Sequence, residues 1–297
     1  MKSEPNTQLQ QTQAPKKKRS QWATVWRSLR KNKMAMLGLI TLILLVLMAI
    51  FADIIAPFDY HEQVLLNRLQ GPSREHIFGT DHLGRDIFSR IVFGARVSLQ
   101  VGIIAVGIAA LMGGLLGSIA GYYGNKLDNG IMRIMDVLLA IPGILLAISI
   151  SAALGSGLRN LMIAIGIGSI PGYARVVRAS ILTVRDQEFV EAAKAVGTSD
   201  LRIILKHIVP NAMAPIIVQA TLGVAGAILS AAALSFIGLG LQPPTPEWGA
   251  MLSEGRAFLR DHPHVTTFPG LAIMITIFAL NLLGDGLRDA LDPRLKD

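Results

Sequence analysis

The sequence predicts an all-α, polytopic membrane protein with about six transmembrane helices. The first observation is composition: 52% of the 297 residues are hydrophobic and only 16% are charged, against about 25% charged in an ordinary soluble domain. The second is arrangement, because the apolar residues gather in charge-free runs of bilayer length, roughly 20 residues each, with polar stretches between them. The third is the placing of the basic residues. The net charge is +8, yet Lys and Arg cluster beside the apolar runs and form no aromatic-interleaved patch, which points to a membrane surface and away from nucleic acid. Cysteine is absent, so disulfide, zinc-thiolate and thiol-nucleophile chemistry are unavailable.

The elements follow in order. Residues 1–33 are expected to form a cytoplasmic tail and an interfacial helix. The first 20 are Gln-rich, end in Lys16-Lys17-Lys18-Arg19 and read as disordered. Trp22 and Trp26, with Arg27, Arg30, Lys31 and Lys33, suit an amphipathic surface helix. Residues 34–56 form the first span, charge-free from Met34 to Ala52; the long polar leader and the further spans argue for retention over cleavage as a signal peptide. Residues 57–96 are read as a mixed-charge extracytoplasmic loop. Inside it, Gly79, Thr80, Asp81, Gly84, Arg85 and Asp86 predict a tight, hydrogen-bonded turn. Arg85 lies between the two Asp residues and would pair with them, so His82 beside that acidic pair is not read as a metal site.

Residues 97–287 hold the remaining spans. Val97 to Asn125 is uncharged and long for one crossing. Its Gly113, Gly117 and Gly121 repeat at every fourth position, which lets helices approach closely in lipid; static packing is the plainer reading, and motion between helices the other. A third span from about Ile134 to Leu158 contains Pro142. Asp136 at its start either pairs with nearby Arg133 or is a functional intramembrane acid. A short fourth span, Asn160 to Ala174, is expected to break at Pro171. The uncharged stretch 208–246 exceeds one straight span; it is assigned one crossing near 213–235 and a kinked or re-entrant piece ending at Gln242 to Gly249. Val265 to Gly284 is the last span. Residues 288–297 form a cytoplasmic end, where Arg288 is spaced to reach Asp285 and Asp292.

Between the fourth and fifth crossings lies a polar island, residues 186–211. Asp186, Gln187 and Glu188 supply helix-start chemistry, Glu191, Lys194 and Ala195 share a helical face, and Ala192 and Ala193 leave a bare surface for close approach by another protein. Gly197 breaks the helix. Thr198, Ser199 and Asp200 are candidate caps for a second helix, Leu201 to His207, and Pro210 disfavours the helical conformation at Val209. Two short helices meeting at a bend are expected.

This island resembles the E-A-A, three residues, G, nine residues, I, one residue, L-P signature of permease subunits of bacterial binding-protein-dependent ABC importers. Glu191, Ala192, Ala193, Gly197 and Pro210 match, while His207 and Val209 stand where the pattern has Ile and Leu. The string from Phe78 to Asp86 resembles the F-G-T-D-x-x-G-R-D element of the dipeptide, oligopeptide and nickel branch, and the strings Gln242 to Gly249 and Asp285 to Pro293 are similar to that branch as well. The resemblance covers most of residues 22–293. It implies a type I importer permease fold and a coupling helix, around Glu191, Ala192, Ala193, Lys194, Gly197 and Pro210, that docks in a groove of an ATPase. It also implies partners: a homologous second permease, two cytoplasmic ATPase subunits and an extracytoplasmic solute-binding protein.

With the N-terminus in the cytoplasm of a bacterial inner membrane, inside segments carry 20 of the 28 Lys and Arg residues, which fits the positive-inside rule and puts the island on the ATP side. The first outer loop, with five of them, is the weak point of that count. No Gly-Lys dipeptide occurs, so no phosphate-cradling loop of the usual form is present, and no Ser-His-Asp or His-Glu-x-x-His constellation appears. His262 and His264 read as solvated more readily than as ligands. The chain is expected to be no enzyme, to need no cofactor and to provide a pathway driven by partner subunits. A secondary transporter or channel is the rival class, and it would need intramembrane charges for ion coupling. The solute is left open among dipeptides, oligopeptides, glutathione and nickel.

Overall fold

A computed structural model describes residues 21–291, and the basic run Lys16 to Arg19, Asp292 and Pro293 lie outside the described residues. The described residues are helical, with thirteen α-helices and no strand longer than one isolated bridge between Thr80 and Asp86. Helix α1 (Gln21–Lys31) is the expected surface helix, and it seats Val25 and Leu29 against Ala35 and Ala290. The side chain of Asn32 accepts from the N–H groups of Met34 and Ala35 and so starts α2 (Lys33–Ile50), the first span. Gly38 lets α2 approach the backbone of α13 (His264–Leu291); a Cβ there would stand 2.6 Å from Ala279 O. A short α3 (Ala52–Ile55) leads into a long loop.

That loop ends at residue 86, ten residues before the expected boundary. The Asp86 carboxylate accepts from the Ser89 N–H at 2.7 Å and starts α4 (Ile87–Tyr123), a helix of 37 residues. Charge density at Arg90 and Arg96 reads as loop in the sequence, but both guanidiniums fold back onto carboxylates and backbone carbonyls. The expected third span is broken: α5 (Asn125–Leu139) and α6 (Gly143–Leu154) meet at 86°. Pro142 has no N–H to give, disfavours the helical region at the residue before it, and is itself non-helical at ψ 127°. The fourth span, by contrast, does not break. Helix α7 (Leu158–Leu182) passes straight through buried Pro171, because it is gripped on both sides: Gly166 packs on Ile108, and Gly113 of α4 packs on Tyr173.

After α7 come α8 (Glu188–Ala195), α9 (Asp200–Arg202), a wide π-type turn at Ile203–Ile208 and α10 (Val209–Asn211). Helix α11 (Met213–Phe236) matches the assigned crossing, and a non-helical turn follows it to α12 (Trp248–Gly255). Helix α13 runs seven residues past the expected end of the last span, held by Gly286 against Ala35. Five helices are long and apolar enough to cross a bilayer, six crossings if α5 and α6 together make one. The glycine ladder is a close-packing seam: Gly113, Gly117 and Gly121 lie against Tyr173, Val177 and Ile181 of α7. The cores follow this frame, one between α4, α11, α12 and α13 around Trp248, another between α4, α6, α7 and α11. The long loops fall at two ends. The elbow end holds α1, α8–α10 and the end of α13, and the far end holds residues 56–86 and 237–264.

Candidate functional site

At the elbow end, α8 turns its Val190 and Ala193 into a core with Val177, Ile181, Val184, Ile203, Ile208 and Ala212. Ala192 is exposed, so the two alanines are not one bare floor: Ala193 is 8% exposed and packs inward. The i, i+3 spacing of Val190 and Ala193 was the signal for this. Glu191 and Lys194 stand exposed beside Ala192. Gly197 ends α8 at φ +76°. The Thr198 N–H bonds to Ala193 O at 3.1 Å and the Gly197 N–H to Lys194 O at 2.9 Å, the paired bonds of a Schellman ending. No side chain caps the next helix; Ser199 holds the cap position through its backbone.

Pro210 behaves otherwise than expected. Val209 is helical, with φ −54° and ψ −46°. The π-type turn before it spaces the carbonyls more widely, which relieves the clash a proline makes with the preceding turn. The elbow therefore bends at Gly197 and continues almost unbroken into α11. Its outward face is apolar in a way a solvated loop is not: Val196 is 80% exposed, Leu201 68% and Leu205 60%.

Three links that sequence spacing did not reveal bind the elbow to α4. The Tyr122 hydroxyl donates to Asp200 at 2.7 Å. Lys194 Nζ sits 5.6 Å from the centre of the Tyr122 ring. Arg185 Nη1 donates to Gly121 O at 2.8 Å. Further links join α5 to α7. Asp136 pairs with Arg175 at 2.7 Å, in place of the expected Arg133, and Arg178 forks onto Asp128, with Nη2 to Oδ2 at 2.6 Å. Asp285 takes part in no ion pair among the described residues. A half-open cleft of about 480 Å³ lies between α7, α11 and α13, with Ser180, Asn211, Gln219 and Arg288 on its walls.

At the far end the string 79–86 is the tight turn the sequence predicts. Gly79 and Gly84 have φ +77° and +76°, and a Cβ on either would collide with the backbone, at Gln70 O and Val64 O. The Thr80 hydroxyl bonds to Asn67 O. Arg85 is fully buried; its Nε reaches Asp81 at 2.6 Å and its Nη2 reaches Glu254 at 2.5 Å. Arg90 lies 3.6 Å and 3.5 Å from the same two carboxylates, and His76 pairs with Asp86 at 3.0 Å. Asp81, His82 and Glu254 bring ligand atoms within 4.8 Å of one another. A divalent cation there would face two guanidiniums that already balance both acids, so the donor set does not fit one. His264 directs Nε2 at Thr80 O, 3.4 Å away, and its ring meets His262 edge-on at 6.0 Å, a loop contact and not a ligand pair.

Comparison with known proteins bears on both ends. Residues 113–297 match the model of the binding-protein-dependent transport system inner membrane component, and residues 20–72 match the N-terminal TM domain of oligopeptide transport permease C. The dipeptide transport system permease protein DppC of Alkalihalophilus pseudofirmus is 54% identical over 277 residues, 93% of this chain and 91% of that one. The glutathione transport system permease protein GsiD of an Escherichia coli O6:K15:H31 strain is 53% identical over 285 residues, 95% and 93% of the two chains. Among solved structures, an inward-facing MetNI methionine ABC transporter shares the fold at a TM-score of 0.57 and 18% identity, over 68% of this chain and 96% of that one.

Proposed function

Since the chain belongs to the binding-protein-dependent transport system inner membrane component family and is an ABC importer permease, we propose that it passes di- or oligopeptides inward across a bacterial inner membrane. The observation that carries the solute class is the 54% identity, over nearly the whole chain, to a dipeptide permease. Glutathione is itself a tripeptide, and the relative at 53% identity makes it the second reading.

The elbow is the surface on which one of two ATPase subunits acts. In support, its exposed Val196, Leu201 and Leu205 make an apolar face, the kind of patch that marks a protein partner on an otherwise polar loop. The face stands on a rigid base, because Ala193, Val190 and Ile203 anchor both limbs of the bend in one core. Displacement of the elbow by nucleotide is thereby passed on as movement of helices, a two-state element biased by ATP. The half-open cleft beside α11 fits one wall of a pathway that a homologous second permease completes.

With the elbow in the cytoplasm, the N-terminus is cytoplasmic too, and a solute-binding protein docks at the far end. The five basic residues of the far-end loop count against this orientation, and the larger basic cluster before the first span outweighs them.

The test is uptake by the reconstituted complex of this chain with its partners, supplied with a dipeptide, a longer peptide or glutathione. Val196→Arg is expected to leave the chain inserted and folded but to abolish ATPase retention and uptake. Full uptake by that variant would refute the role of the elbow, and uptake of glutathione with neither of the other peptides would overturn the solute assignment.

A further inference from the structure

The elbow has to move something at the far end of the protein if solute is to enter there, and the links just described single out one helix. Among the described helices α4 is the longest, 37 residues, or about 55 Å at 1.5 Å per residue. That exceeds the roughly 30 Å of a bilayer core, so α4 reaches both loop ends without a break. Its neighbour cannot do the same, because α5 and α6 are folded at 86°.

Both ends of α4 are tied to loops. At the elbow end, contacts from two points of the island, residues 194 and 200, and from Arg185 just before it converge on two successive residues of α4, Gly121 and Tyr122. Tyr122 is placed between the two limbs of the bend: its ring carries Lys194 from α8 and its hydroxyl bonds to Asp200, the first residue of α9. At the far end, Arg90 donates to Tyr60 O at 3.4 Å and Pro244 O at 3.3 Å, and the Trp248 indole N–H donates to Ile91 O at 3.1 Å. Those acceptors and donors belong to the two segments that close that end. In between, the glycine ladder keeps α4 in backbone contact with α7, so the rod is stiffened over its elbow-side half.

We propose that α4 is the rod that carries the nucleotide-driven displacement of the elbow to the far-end loops, with Tyr122 as the positioning residue that joins rod to elbow. This rests on the elbow being the ATPase-docking surface. Tyr122 touches neither solute nor nucleotide; it sets whether motion of the island is shared with α4 or dissipated in α7 and α11 alone.

The chain has no cysteine, so a single Gln242→Cys in the exposed far-end turn is the one labelling site on this chain, read on its own band of a gel. In the reconstituted complex, the maleimide labelling rate at this position is expected to change on trapping with ATP and vanadate. Tyr122→Phe and Asp200→Ala should each cut that change, and the solute moved per ATP hydrolysed, ~3- to 10-fold, the net effect of one exposed hydrogen bond. ATPase retention should be unaffected by Tyr122→Phe, and the double variant should couple no worse than either single one, as two ends of one bond require. Additive losses, or no nucleotide response at Gln242→Cys in the otherwise unchanged chain, would overturn the rod. So would a full response in Tyr122→Phe, and Val196→Arg then separates the two ideas. If Val196→Arg loses the response, the elbow assignment survives alone; if it too responds fully, both fall.

Discussion

Neighbouring glycines of α4 give an internally controlled measurement of how tightly this helix is packed. A Cβ on Gly117 would stand 2.9 Å from Val177 Cβ and 3.0 Å from Arg178 N, and would collide with Ala174 O. These are mostly backbone and Cβ atoms, so no rotamer change relieves the clash, and α4 and α7 must separate. Gly114, three residues earlier, has nothing within 4 Å of its Cβ position. Replacement by alanine therefore has opposite signs at the two sites. Gly114→Ala should stabilise by about 0.5–1 kcal/mol through helix propensity alone. Gly117→Ala gains the same and then incurs overpacking of about 1–3 kcal/mol, so it should be destabilised relative to Gly114→Ala by roughly that amount. The assay is denaturant unfolding of the isolated chain in mixed micelles, followed by the fluorescence of its three tryptophans. A Gly117→Ala protein as stable as Gly114→Ala would refute the close α4–α7 contact, and with it the stiffness that the rod requires.

Three further outcomes follow from the same geometry. Arg85→Met leaves Asp81 and Glu254 with only the longer contacts of Arg90, a loss of up to about 3–5 kcal/mol; the chain should accumulate poorly in membranes, and Arg85→Met with Glu254→Met should restore part of the accumulation measured by immunoblot. Ala193→Arg forces a charge into the core beneath the elbow and should prevent folding, whereas Ala192→Arg, one residue away but exposed, should fold and lose only ATPase retention in co-purification. Gly197→Ala meets no neighbouring atom but must hold φ near +76°, at about 1–2 kcal/mol. Amide exchange across residues 188–203 should accordingly rise by about tenfold, since 1.4 kcal/mol is a factor of ten.

What the sequence made legible is what lipid and local backbone chemistry impose. The first span, the crossing at Met213–Phe236, the Gly197 ending and the ion-paired turn around Arg85 all follow from runs of charge-free residues or from contacts a few positions apart. What it hid depends on partners far along the chain. Asp136 reads as a neighbour of Arg133, yet Arg175, 39 residues on, holds it. Tyr122 and Asp200 are 78 residues apart. Arg90 and Arg96 look like loop residues until the carboxylates and carbonyls that neutralise them are in view. The two prolines state the limit most sharply. Pro142 and Pro171 each lie in an apolar run, and each removes one helical N–H, but one sits at an 86° bend and the other lies within an unbroken helix. Their own chemistry is the same, so the difference lies in the surroundings. Pro171 is buried with α4 packed against α7 before and after it, and that packing outweighs the local preference. The turn at Ala140 to Pro142 is exposed, so there the local preference decides. The same bend removes α5 and α6 as a continuous path between the two ends of the molecule, whereas the unbroken, glycine-seated α4 beside them is tied by side chains to the loops at both ends.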